Sequence, residues 1–281
     1  MSDSNVPRTG TIGPEDYVEP SCVLCGDPYG TVPEIKPVPQ QRIIEKMDGA
    51  ERHLLYWLEE ARLGHDLRGP LMVEGELVGH YRKMGERDNA LAHGEEALRL
   101  VDELDFGGTI SAGTTYVNVA TALDAFGEHE RAIGLFERAR AVYEASPATK
   151  PELLGGLYNN MALTCVDLGR YAEAAELYGR ALAQMEKVEG GELERAITLL
   201  NMADALVAEQ GMEAVEGRVF DLLDEAYDLF DATTAPRDGY YAFVCEKCAP
   251  VFSHYGSFLA ADDLSARAAG IYARVKDGEG R

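Results

Sequence analysis

The chain has 281 residues, 26 basic and 49 acidic side chains and a formal net charge of −23. That balance opposes nucleic-acid binding, which needs Lys and Arg against phosphate, and adhesion to anionic lipid for the same reason. No stretch approaches the roughly 20 apolar residues of a membrane span. The opening MSDSNVPRTGTIGPEDY lacks the apolar run of a secretory leader, so a cytoplasmic protein is expected.

Residues 1–40 form a first region of distinct composition. Seven of the twelve prolines fall there, at Pro7, Pro14, Pro20, Pro28, Pro33, Pro37 and Pro39. Proline lacks the amide hydrogen and fixes φ, so helix is excluded through most of the segment. TVPEIKPVPQ suits polyproline II, and the 16 steps from Cys25 to Gln41 would then span roughly 50 Å. Such a tail is either disordered or laid along the domain that follows.

From residue 41 to 275 the pattern turns helical. Apolar and small residues recur three and four apart, the stripe of an amphipathic helix. Six units are predicted, near 41–66, 70–104, 112–146, 153–188, 193–231 and 238–275. In the first, GAERHLLYWLEEARLG supplies a second helix with Leu54, Leu55, Trp57, Leu58 and Ala61, while QRIIEKMDG is too short for a full first helix. The next units are helical hairpins. Leu77, Val78, Tyr81, Gly85, Ala90, Gly94 and Ala97 recur as Val119, Ala120, Leu123, Gly127, Ala132, Phe136 and Ala139. They recur again as Met161, Ala162, Cys165, Gly169, Ala174, Tyr178 and Ala181. The residues ahead of each pair, Glu76, Asn118, Asn160 and Asn201, give steps of 42, 42 and 41. In the fifth unit the second helix, within 211–230, is shifted by a short insertion. In the last, Cys248, Ala249, Phe252, Gly256, Ala261 and Ala268 keep the offsets. Each Gly ends a first helix, because Gly accepts a left-handed backbone. One hairpin cannot bury both faces, so neighbours must stack.

NVATALDAFGEHERAIGLFERA and NMALTCVDLGRYAEAAELYGRA resemble the tetratricopeptide repeat, and the resemblance covers 72–208. The period of about 42 is similar to the long variety of kinesin light chains and bacterial peptide sensors. The resemblance implies an all-α, right-handed superhelical solenoid of antiparallel helix pairs with first helices lining a concave face. It places Asn118, Asn160 and Asn201 in a peptide-binding groove, with Asn159 and Asp204 sharing that face. An amide offers a donor and an acceptor together, so a row of them can hold the backbone of any extended segment. The alternative is that each Asn bonds a neighbouring helix. Asp124 and Asp167 on this face, with only Arg82 and Lys83 in the first hairpin as counterparts, disfavour a clamp for a terminal carboxylate. A neutral or basic segment fits better.

Two Cys-x-x-Cys pairs remain. Cys22 and Cys25 lie in the tail, and Cys245 and Cys248 on a predicted helix. Together they could supply four thiolates to one zinc, but only if the tail reaches the last hairpin; His254 is an outside candidate. In the helical pair Cys248 takes an apolar repeat position, as Cys165 does, and would equally be core. A dithiol redox site is a further alternative, favoured when the first thiol stands at a helix N-terminus. No catalytic constellation is found. The pairs Gly107/Gly108, Gly155/Gly156 and Gly190/Gly191 precede helices without a strand and read as inter-repeat loops. No two histidines have the i, i+4 spacing of a helical zinc protease. The expected function is a non-catalytic protein- or peptide-binding scaffold, possible zinc aside, whose groove its own tail can occupy.

Overall fold

A computed structural model describes the backbone of residues 40–64 and 67–279, with side chains for 49–64 and 67–274. The expectations placed on residues 1–39, including Cys22 and Cys25, lie outside the described residues. All regular structure among the described residues is helical, in eleven elements. These are α1 (Gln40–Leu63), α2 (Arg68–Met84), α3 (Arg87–Glu103), α4 (Ile110–Ala125), α5 (His129–Ala145), α6 (Pro151–Asp167), α7 (Tyr171–Met185), α8 (Glu192–Gln210), α9 (Met212–Ala232), α10 (Gly239–His254) and α11 (Phe258–Glu279). Five antiparallel pairs result: α2/α3, α4/α5, α6/α7, α8/α9 and α10/α11. None of the described helices is long and apolar enough to cross a membrane.

The turn inside a pair has a common physical origin. Gly85, Gly127, Gly169 and Gly256 have φ of 71°, 78°, 70° and 81°. The amide after each returns to the carbonyl five residues earlier: Glu86 to Tyr81, Glu128 to Leu123, Arg170 to Cys165 and Ser257 to Phe252, at 2.7–2.9 Å. This closure satisfies carbonyls that the helix end would leave without donors. The pair α8/α9 departs from it. There the first helix runs longer, and Gly211 combines φ 78° with ψ 147°, entering α9 at once.

Small residues set the spacing between helices. Ala90, Ala97, Ala132, Ala139, Ala174 and Ala181 are all fully buried. In α3 the aromatic place of later repeats is held by Gly94, where a Cβ would come within 3.1 Å of Val119 Cγ1. Larger side chains fill the space the alanines leave, and Tyr116, Phe136, Tyr143, Tyr158 and Tyr178 are almost entirely enclosed. One continuous core runs from Leu71 to Ala181 across successive pairs, as stacked repeats require.

The first unit differs from the sequence expectation. QRIIEKMDG and GAERHLLYWLEEARLG form one unbroken helix, α1, rather than a shortened hairpin. Beyond Gly49, Ala50, Leu54 and Leu58 form one buried stripe, whereas Leu55 and Tyr56 face solvent. Helix α1 packs on α2. A buried ionic cluster holds it there: Glu74 of α2 receives Arg62 of α1 at 3.1 Å and His93 of α3 at 2.5 Å. Tyr81 donates to Glu51 of α1 at 2.7 Å and stacks on His93. Gln40–Thr234 form one compact unit, and the segment from Ala235, with α10 and α11, forms a second.

Candidate functional site

In the first unit the first helices of successive pairs are neighbours: α2 meets α4, α4 meets α6, and α6 meets α8. The repeat therefore places Asn118, Asn160 and Asn201 on three adjacent helices. All three are half-buried, as is Asn159, whereas Asp204 is exposed. One bond of the kind the alternative reading expects joins two members of this row. Asn201 donates to Asn159 Oδ1 on the neighbouring helix at 3.1 Å. Asn118 turns toward the preceding helix, its amide nitrogen 4.0 Å from where a Cβ on Gly75 would stand. Leu163, one turn beyond Asn160, is exposed.

Asp124 and Asp167 come together at the ends of α4 and α6, and His129, at the start of α5, joins them. His129 Nδ1 lies 2.8 Å from Asp124 and 3.7 Å from Asp167. Burial first, and then the Asp124 carboxylate, push the Asp167 carboxyl above its ordinary range, while His129 acts in the opposite sense. The sequence reading singled out both aspartates but not His129. Its signal was available: it stands two residues after the turn Gly127, and the turn folds it back onto α4.

Tyrosine–arginine clamps recur beside the core, and the sequence reading missed them. Arg138 covers the Tyr116 ring at 4.2 Å, donates to its hydroxyl at 2.9 Å and reaches Asp102 of the preceding pair at 3.7 Å. Forty-two residues later Arg180 covers Tyr158 at 4.2 Å, donates to its hydroxyl at 2.7 Å and pairs with Glu144 at 2.5 Å. Burial, followed by the hydrogen bond to Glu144, pushes the Tyr158 phenol up to about 12. In the second unit Arg267 donates to Tyr241 at 2.9 Å.

The glycine pairs are corrected in part. Gly155 and Gly156 lie within α6, not in a loop. Gly155 and its counterpart Gly113 in α4 are seats for large side chains of the following helix. A Cβ on Gly113 would stand 2.8 Å from Tyr143 Cδ1 and nearer still to Cε1, and one on Gly155 would overlap the end of Met185.

The helix pattern behind this site is matched by the family model described as tetratricopeptide repeat, over residues 71–145 and 153–214. Those residues are tetratricopeptide repeats. A search of curated protein sequences gives no match. Solved tetratricopeptide-like structures share the fold. BtubC (BKLC) from P. vanneervenii is 19% identical at a TM-score of 0.56, covering 82% of this chain and 92% of its own. A putative kinesin light chain from Podosopora anserina with nearly identical TPR-like repeats is 19% identical at 0.51, covering 73% and 95%. A Rap protein complexed with Competence and Sporulation Factor is 18% identical at 0.53, covering 83% of this chain and 61% of its own.

The repeat frame also explains Cys245 and Cys248. Aligned on the turn glycines, Cys248 occupies the place of Val119 and Met161, and Cys245 that of Tyr116 and Tyr158. Their i, i+3 spacing is thus the spacing of two core positions on one helix face. Both are buried in the middle of α10, away from its N-terminus. Burial pushes the Cys245 thiol up to about 11 and Cys248 to about 12, the opposite of the acidification that thiol exchange uses. Cys165 is core as expected, its thiol pushed up to about 11 by burial.

Proposed function

We propose that this tetratricopeptide domain is a non-catalytic scaffold that binds an extended protein or peptide segment across α4, α6 and α8. Tetratricopeptide domains typically bind proteins or peptides. The observation that carries the reading is the recurrence of half-buried amides, Asn118, Asn160 and Asn201, on three adjacent first helices. The Asn201–Asn159 bond fixes one amide of the row and so lowers the entropy cost of aligning it with a ligand backbone. Asp124, Asp167 and exposed Asp204 on the same helices favour a neutral or basic segment over an acidic one. A Rap protein of this fold was solved with a bound factor, which supports binding as the role of the architecture. The Pro-rich residues 1–40 are proposed as a competitor for the same surface.

The test is selection of peptides from a random display library on the full chain, followed by affinity measurement on variants. Asn160→Ala should weaken the selected peptides roughly tenfold, the worth of one or two amide hydrogen bonds, with unchanged helical circular dichroism. Loss of helicity instead would make the Asn a structural residue and sink this assignment.

A further inference from the structure

We propose that Asp124, His129 and Asp167 form a binding site for one divalent transition-metal ion, with one nitrogen and two oxygen ligands. The proposal goes beyond segment binding and does not depend on it. The three side chains come from three helix ends, those of α4, α5 and α6, yet one imidazole nitrogen and one oxygen from each carboxylate lie within 4.8 Å of one another. Ligands about 2.0–2.2 Å from an ion stand at this order of separation, so small side-chain rotations suffice.

The electrostatics point to a cation. Asp167 is the last residue of α6, and Asp124 is next to last in α4. A helix C-terminus carries partial negative charge, so each carboxylate stands where its own charge is disfavoured and a cation is favoured. Neighbouring acids are matched by guanidinium groups: Glu128 pairs with Arg87 and Arg131, and Glu173 with Arg170. Among the described residues no Lys or Arg pairs with Asp124 or Asp167; only His129 does.

A second observation comes from α7. The Tyr178 hydroxyl is buried and has no hydrogen-bond partner among the described residues. The side chain is 1% exposed, and after burial itself the charge of Asp204 and then that of Asp167 bear on its phenol. A buried hydroxyl without a partner is costly. Water carried by an ion held on Asp167 would supply one.

The ligand chemistry narrows the ion. Imidazole with carboxylates suits zinc, manganese, cobalt or nickel, while Mg²⁺ and Ca²⁺ prefer all-oxygen sets and Cu(I) prefers sulfur. Three protein ligands leave further positions for water or an incoming oxygen donor.

The experiment titrates the full chain with Co²⁺, read by visible absorption, and with Mn²⁺, read by electron paramagnetic resonance. One ion per chain is expected, without a thiolate-to-cobalt band. Asp167→Asn and His129→Ala should each weaken binding by more than about 100-fold, beyond the 10–100-fold usual for a residue that only supports a ligand, at unchanged circular dichroism. Asp167 is half exposed, so its variant decides the matter if His129→Ala unfolds. No binding at millimolar ion, binding unchanged in Asp167→Asn, or a thiolate band abolished by Cys245→Ala would each overturn the site.

Discussion

Gly113 and Gly134 show how the same residue type does opposite work within one hairpin. At Gly113 a methyl would collide with the ring of Tyr143, which is enclosed and hydrogen-bonded to Thr114 at 2.9 Å. Overpacking of this kind costs about 1–3 kcal/mol. Gly113→Ala should therefore lower the urea midpoint, whereas Gly155→Ala should cost less because flexible Met185 can turn aside. At exposed Gly134, in α5, nothing lies within 4 Å of an added Cβ. Gly134→Ala should raise stability by about 0.5–1 kcal/mol by reducing the freedom of the unfolded chain. The clamp arginine is a second residue-scale case. Arg180→Ala removes a cation–π contact, a tyrosine hydrogen bond and an ion pair, and about 1–2 kcal/mol of stability should go with them. Arg180→Lys should not restore it, since an ammonium cannot both stack on Tyr158 and fork to Glu144.

At the scale of elements, α10 carries a pH dependence whose sign follows from its buried thiols. The fold holds protons on Cys245 and Cys248 to about 11 and about 12, while an unfolded chain releases them near pH 8.5. The folded state thus binds more protons above that pH, and stability should fall as pH rises through it. Denaturation between about pH 8 and about pH 10 should show this loss, smaller in a Cys245→Ala/Cys248→Ala variant. The same helix shows what the sequence could and could not reveal. The period and the turn glycines made the hairpins legible, because left-handed turns need Gly and close crossings need Ala. The Cys-x-x-Cys spacing of Cys245 and Cys248 leaves two readings open in the sequence, because metal motifs and helix core faces share the interval of three. The continuity of α1 was not legible because QRIIEKMDG is too short to read as a full helix by itself, yet the chain runs on through Gly49, where the burial of Ala50, Leu54 and Leu58 outweighs the roughly 1 kcal/mol that Gly costs inside a helix. The clamp arginines and His129 act across turns or between units, where only three-dimensional proximity reveals a partner.

For the whole molecule, the proposed binding brings charge and the N-terminal region into one set of predictions. The net charge of −23 and the aspartates on the first helices should make a bound basic segment sensitive to ionic strength, since exposed pairs are screened within about 8–10 Å at physiological salt. Removing residues 1–39 should raise affinity for the selected peptides if that region competes for the same surface, with circular dichroism per residue of the helical part unchanged. The central claim is that the ligand lies on the first-helix face. The most direct measurement is cross-linking by a photoreactive amino acid placed at exposed Leu163 on α6 or at exposed Gly179 on α7, using a selected peptide and peptide mass mapping. The account requires an adduct from position 163 and none from 179. Adducts from 179, or equal yields from both, would contradict it.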